Sequence, residues 1–163
     1  MALLSRKTDY ALLILQYLHQ KAEGGCAREI ADRFELSRAF VANILKELCQ
    51  KDFVESHRGV KGGYVLARPA EEINLAELIE TLDDSFRLAE CNQPSPDDGC
   101  SVFHLCPLKG PMAEIHRRIR EVLSNLSLAD LFDWHGELSP ELLHLTLPDP
   151  CALPAAPEIE VGA

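Results

Sequence analysis

The sequence predicts a mainly α-helical fold that carries one small β-hairpin and a long helix late in the chain. Three observations lead there. Apolar residues recur at helical spacing through most of the first 50 positions. A glycine-rich run between two β-forming segments follows directly. A heptad-like apolar stripe then runs from Met112 to Leu126.

The first helix is predicted from about Ser5 to Gln20, with Tyr10, Ala11, Ile14, Leu15 and Leu18 on one apolar face; Glu23-Gly24-Gly25 stops it. A short helix follows over about Ala27 to Phe34, with Ile30, Ala31 and Phe34 inward. Glu35-Leu36-Ser37 is a tight turn, and the Ser37 hydroxyl suits the N-cap of a third helix, about Arg38 to Lys51. That helix buries Phe40, Val41, Ile44, Leu45 and Leu48. Two short helices joined by a turn of a few residues form a helix-turn-helix. Phe53–His57, Arg58-Gly59-Val60-Lys61-Gly62-Gly63 and Tyr64–Ala67 then read as strand, glycine-rich turn and strand. A hairpin directly after a helix-turn-helix is a wing, so the first 70 residues are predicted to be a winged helix-turn-helix domain.

Residues 71–136 are predicted as a second region. Ile73 to Leu82 forms a helix packed on the first module. The stretch from Cys91 to Cys106 has two prolines, a glycine and two aspartates, and reads as a loop. A long helix is predicted from about Pro111 to Leu126, since proline fits a first helical turn. Its residues Met112, Ile115, Ile119, Val122 and Leu126 are spaced 3, 4, 3 and 4. Framed by Glu114, Arg117, Arg118 and Glu121, they are read as a homodimer seam in preference to a core-facing stripe. Residues 137–163 are rich in proline, and a largely disordered tail is expected.

Composition bounds the partners. Net charge is −10, but it is unevenly distributed. Residues 1–68 carry 11 Lys/Arg and 8 Asp/Glu, whereas residues 69–163 carry 5 and 18. Only the mildly basic first half suits a polyanion. No segment approaches the roughly 20 apolar residues of a membrane span, and the charged first helix does not resemble a signal peptide. A cytoplasmic chain with reduced thiols is expected, so the six cysteines are not read as a disulfide framework.

A winged helix lays its recognition helix in the major groove of double-stranded DNA. The core positions leave Arg38, Ala39, Ala42, Asn43, Lys46 and Glu47 facing out. Arg38 suits guanine or phosphate, Asn43 the two edge atoms of adenine, and Lys46 phosphate. Ser37 stands at the helix start beside them. Arg58 and Lys61 on the wing flank a turn of little bulk, and an arginine there suits a narrow minor groove. Any one of these is as readily a plain surface residue; the set in this order favours DNA binding.

Cys91, Cys100 and Cys106 have the spacing C-x8-C-x5-C on a polar loop. Three thiolates there can wrap a metal centre. Zinc with His104 as fourth ligand and an iron–sulfur cluster are both compatible with the spacing. Cys26, Cys49 and Cys151 lie in other elements and read as ordinary buried or tail cysteines.

The chain resembles the winged-helix iron–sulfur transcription regulators that include IscR, NsrR and RirA. The matching stretches are Lys7–Leu12, Arg58–Tyr64, Asp84–Cys91 and Ser127–Leu131, and the likeness covers about Met1 to Phe132. It implies a homodimer on the long helix. It also implies a cluster, 2Fe–2S or 4Fe–4S, on Cys91, Cys100 and Cys106 with a non-cysteine fourth ligand. The family's histidine three residues after the last cysteine is Lys109 here, so that pattern fails. An aspartate near the N-terminus, donated by the other subunit, matches Asp9; His104 is the alternative. Some members read bases with an acidic residue where this chain has Ala42, so the operator does not carry over.

No phosphate loop, dinucleotide fingerprint or nucleophile elbow appears, so an enzyme with a small-molecule substrate is not expected. The rival readings are a winged-helix regulator with a zinc or direct thiol switch, and a cluster-bearing electron carrier.

Overall fold

Ser5 opens the first helix, α1 (Arg6–Gln20), by accepting a hydrogen bond from the Thr8 amide at 3.2 Å. The computed structural model describes residues 4–57, 62–83, 88–92 and 100–134. The wing tip, with Arg58 and Lys61, and the predicted tail, with Cys151, lie outside the described residues.

Helix α2 (Ala27–Arg33) starts at Cys26, and the cysteine is not the plain core residue its sequence context suggested. Its sulfur accepts from the Glu29 amide at 3.5 Å, while the Glu29 carboxylate accepts from the Cys26 amide at 3.2 Å. This is a capping box with a thiol in place of the usual hydroxyl. Glu35, at φ 55°, turns the chain into α3 (Arg38–Gln50), where the Ser37 hydroxyl accepts from the Phe40 amide at 3.2 Å. Strands β1 (Val54–His57) and β2 (Gly63–Leu66) form an antiparallel hairpin that aligns Val54 with Leu66 and His57 with Gly63.

The loop before α2 pairs with the outer edge of β2, near the end of the hairpin closest to its turn. Gly25 and Tyr64 exchange backbone hydrogen bonds of 3.0 and 2.9 Å on the free side of β2. Gly24 has φ +86°, and a Cβ there would sit 2.7 Å from the Tyr64 carbonyl oxygen and 2.8 Å from Val65 Cγ1. A Cβ on Gly25 would meet the Tyr17 ring at 2.6 Å. The two glycines therefore do more than end α1: they let the chain approach the wing closely enough to pair with it.

Beyond the hairpin, α4 (Leu75–Leu82) begins at the Asn74 side chain, which accepts from the Glu77 amide at 2.8 Å. Ile73 precedes this helix, although the sequence pattern placed it inside. Helix α5 (Lys109–Ser124) begins two residues before Pro111, and the proline's missing amide falls in the first turn, where it costs nothing. A short α6 (Leu128–Phe132) follows, with Ser127 and Asp130 forming a second capping box. The Leu75 amide donates to the Leu126 carbonyl and the Leu128 amide to the Ile73 carbonyl, both at 2.8 Å, pinning the end of α5 to the start of α4.

One apolar core runs through these elements. Ile14, Leu15, Ile30, Leu45, Leu48, Phe53, Ile73, Leu78, Ile79 and Leu128 are fully buried in it. Arg68 lies over the Phe53 ring at 5.6 Å and pairs with Glu77, closing the wing against α4. Gly24→Ala should lower unfolding stability by about 1–3 kcal/mol, because it combines a strained φ with a backbone clash. Thermal unfolding by circular dichroism checks this.

Candidate nucleic-acid interface and cysteine site

Helix α3 separates its side chains into a buried and an exposed face. Val41, Ile44, Leu45 and Leu48 face the core, and Ser37, Arg38, Ala39, Ala42, Asn43 and Lys46 are exposed. Phe40 is half-buried and meets the Tyr10 ring edge-on at 5.2 Å. Arg38 reaches back to Asp32 on α2 at 3.4 Å, and Asn43 and Lys46 stand along the same outward face. Glu47, at the edge of that face, is half-buried and accepts a 2.9 Å hydrogen bond from Lys7 Nζ on α1. A salt bridge thus ties α1 to the flank of the recognition helix.

The start of α1 is tied on its other side to the end of α4. Thr8 is fully buried, and its hydroxyl donates to Asp83 Oδ2 at 2.7 Å. The Ser5 hydroxyl donates to Asp83 Oδ1 at 2.6 Å, and the Ser5 amide to Oδ2 at 3.3 Å. Burial pushes the Asp83 carboxyl up, but these hydrogen bonds and the nearby Lys7 charge outweigh it and hold the group below the ordinary aspartate range. Sequence reasoning missed Asp83, because a contact across 78 positions leaves no local pattern.

The cysteine segment packs beside α5. Cys91 sits in a single 3-10 turn (Glu90–Asn92) that contacts α5, and the Asn92 side-chain amide donates to the Met112 carbonyl at 3.5 Å. Cys100 and Cys106 lie in a run of turns leading into α5. All three thiols are free and half-buried. Residues 93–99, between the first two, lie outside the described residues. Among the described residues no group of three His, Cys, Asp or Glu side chains stands close enough to hold a metal ion. The donor chemistry still suits a soft metal centre, with three thiols partly open to solvent at the edge of the fold. Asp9 is exposed in the first turn of α1, next to Thr8. His104 is exposed and meets the Phe103 ring edge-on at 5.4 Å. Lys109 opens α5 with its ammonium 4.9 Å from the same ring centroid. Of the remaining cysteines, Cys49 is half-buried, and that burial pushes its thiol pKa up.

Helix α5 buries none of its residues in the single chain. Met112, Ile119 and Val122 are half-exposed and Ile115 more so, whereas Leu126, past the helix end, packs on the core with Leu123. On the polar side, Arg117 and Arg118 clasp Glu114 and hold its carboxyl at about 2.

Comparison with known proteins decides the family. Residues 4–133 match the Rrf2 family, described as iron-dependent transcriptional regulators. The chain belongs to the Rrf2 family. It is 33% identical over 137 residues to the HTH-type transcriptional regulator NsrR of Oceanobacillus iheyensis, covering 83% of this chain and 92% of that one. The structure of CymR, the global cysteine regulator of B. subtilis, superposes with a TM-score of 0.62 at 26% identity, over 81% of this chain and 97% of that one. IscR of T. potens shares the fold, with a TM-score of 0.63 at 24% identity over 86% and 95% of the two chains. The Rrf2 chain described here is therefore a winged-helix transcription regulator of the NsrR, IscR and CymR kind, and no enzymatic family is indicated. Among the described residues no helix is long and apolar enough to cross a membrane.

The Asp83 junction makes a pH-dependent prediction. A carboxyl held below its ordinary range in the folded state stabilises above the unfolded pKa, and that contribution disappears as pH falls through the folded pKa. Asp83→Asn should therefore lower the melting temperature at neutral pH. The gap to the wild type should close as the pH drops through and below the ordinary aspartate range, as read by melting curves across pH.

Proposed function

We propose that this Rrf2 regulator binds operator DNA as a homodimer and adjusts its affinity through an iron–sulfur cluster held by Cys91, Cys100 and Cys106. The observation that carries the reading is that three free, half-buried thiols lie in segments adjoining α5, in a family described as iron-dependent. The cluster, when bound, supplies a centre whose assembly, oxidation or loss reports iron, redox or nitric oxide status. Asp9, exposed on α1, is the fourth donor, reaching the other subunit's cysteine segment; His104 is the alternative. The DNA-facing set is Ser37, Arg38, Asn43 and Lys46 on α3, with Arg58 and Lys61 on the wing. Residues 1–70 form the DNA-binding part and residues 71–136 the cysteine segment and dimer helix.

The route from sensor to DNA follows the contacts at α1. The chain runs from Asp83 into the segment that ends at Cys91. A shift there acts on the carboxylate that holds Ser5 and Thr8. Lys7, between them in the same turn, grips Glu47 on the recognition helix. The stripe Met112, Ile115, Ile119 and Val122, half-exposed or more in the single chain, supplies the dimer seam, which ends at Leu126 where the chain returns to the core.

Anaerobic purification followed by a visible spectrum with iron, sulfide and zinc assays tests the sensor. A brown protein is expected, losing iron and sulfide when any of Cys91, Cys100 or Cys106 becomes Ala; Asp9→Ala should weaken retention. A colourless protein holding zinc or no metal after reconstitution would replace the cluster with a zinc or direct thiol switch. Ile119→Glu tests the seam. The variant should stay folded but elute at monomer size with operator affinity greatly reduced; an unchanged dimer would place the interface elsewhere.

A further inference from the structure

We propose that Arg28 on α2 is an additional DNA phosphate contact, aimed together with Arg38 by a carboxylate, Asp32, that both arginines share. The inference rests on the DNA-binding reading of α3. Arg28 Nε lies 3.7 Å from Asp32 Oδ2, one turn along α2, and Arg38 Nη2 lies 3.4 Å from Asp32 Oδ1. The two guanidinium groups therefore stand on opposite oxygens of a single carboxylate, at the corner where α2 meets the start of α3. All three side chains are exposed, so none serves the core.

The geometry fixes which surface this is. Arg38 is the first residue of α3 and shares the outward face that carries Asn43 and Lys46. In a helix-turn-helix, the helix before the recognition helix crosses the DNA backbone while the recognition helix enters the groove. Arg28 lies in the first turn of that preceding helix, on the side that reaches Asp32 and so Arg38. That placement puts Arg28 on the part of α2 that a helix-turn-helix presents to the DNA backbone.

Asp32 gives the pair its character. One carboxylate cannot neutralise two guanidinium groups, so the Arg28–Asp32–Arg38 cluster itself carries a net positive charge. Each arginine nevertheless has a preferred direction before DNA arrives, which reduces the rotamer freedom lost on binding. Asp32 is a positioning residue here and Arg28 the contact. Because phosphate carries no sequence information, Arg28 adds affinity and register, while discrimination stays with the outward face of α3.

Salt titration of binding tests this, using the duplex that the wild-type protein selects from a randomised pool and an arbitrary duplex of equal length. Arg28→Ala should weaken both by a similar factor. It should also make the log–log salt dependence shallower by about 0.9 per subunit, the value of one phosphate contact. Asp32→Asn should leave that slope in place but reduce the ratio of selected to arbitrary binding, since the arginines lose their fixed directions. In the Arg28→Ala background the same change should still reduce that ratio, because discrimination runs through Arg38 and the α3 face. An Arg28→Ala variant with the wild-type slope and affinity would overturn the contact while leaving the regulator reading intact. A wild-type chain that binds neither duplex would overturn the regulator reading and this contact with it. Both variants lie on exposed positions, and circular dichroism confirms that each is folded.

Discussion

The apolar stripe of α1 is the constraint on which the rest of the molecule depends. Ala11, Ile14, Leu15 and Leu18 are at most 2% exposed, and the helix that carries them packs against α3, β2 and α4. The recognition helix, the wing and the helix leading to the cysteine segment are thus docked on one common element. Interiors packed at crystal-like density transmit small displacements rather than absorbing them. The stripe ends at Thr8, the one fully buried polar residue of the described core, and a buried hydroxyl must find a partner. Asp83 is that partner, so the requirement for polar satisfaction at the head of α1 is what joins the first helix to the chain leading into the cysteines.

Charge orients the molecule as packing joins it. The first 68 residues are mildly basic and the remainder strongly acidic, so a polyanion is met more favourably by the first part of the chain than by the rest. Much of the charge is spent locally. Arg117, Arg118, Glu114 and Glu121 pair among themselves on α5, and Arg120 pairs with Glu80 on α4. Such exposed pairs add little stability. Their effect on α5 is to keep its polar side neutralised and soluble, which leaves the apolar side as the surface that needs a cover.

The helices and the hairpin were legible because their signals are local. Ser37 as a cap, the 3.6-residue period of α1 and α3, and the glycine-rich turn each speak within a few residues. The outward set Arg38, Asn43 and Lys46 followed from subtracting the core positions. What escaped was long-range or chemically unusual. Asp83 meets Ser5 and Thr8 across the fold, so nothing near it in sequence announces the contact. Cys26 caps α2 through a weak sulfur acceptor that stands outside the usual Ser, Thr, Asp and Asn set. Gly24 and Gly25 read as a stop, whereas their second task, letting the loop pair with β2, depends on where Tyr64 lies. The spacing of the three cysteines suggested a metal-ligand segment but held no information on how their thiols are arranged in space.

The size of the α1 junction matches what regulation requires. A tenfold change in operator affinity corresponds to about 1.4 kcal/mol, and a hydrogen bond to a charged group contributes about 1.5–3 kcal/mol. Asp83 accepts three such bonds from the head of α1, and Lys7 adds a further charged contact to Glu47. On the proposed reading, part of one such contact, if made in only one of two DNA-affinity states, would be enough to change occupancy without unfolding any element. In a dimer the same shift occurs at both half-sites, and the two changes multiply in the affinity of the whole. Under the proposed reading, in which a homodimer senses at the cysteine segment, a small displacement there would be enough, because α1 and the two-fold repetition would convert it into a larger change on DNA.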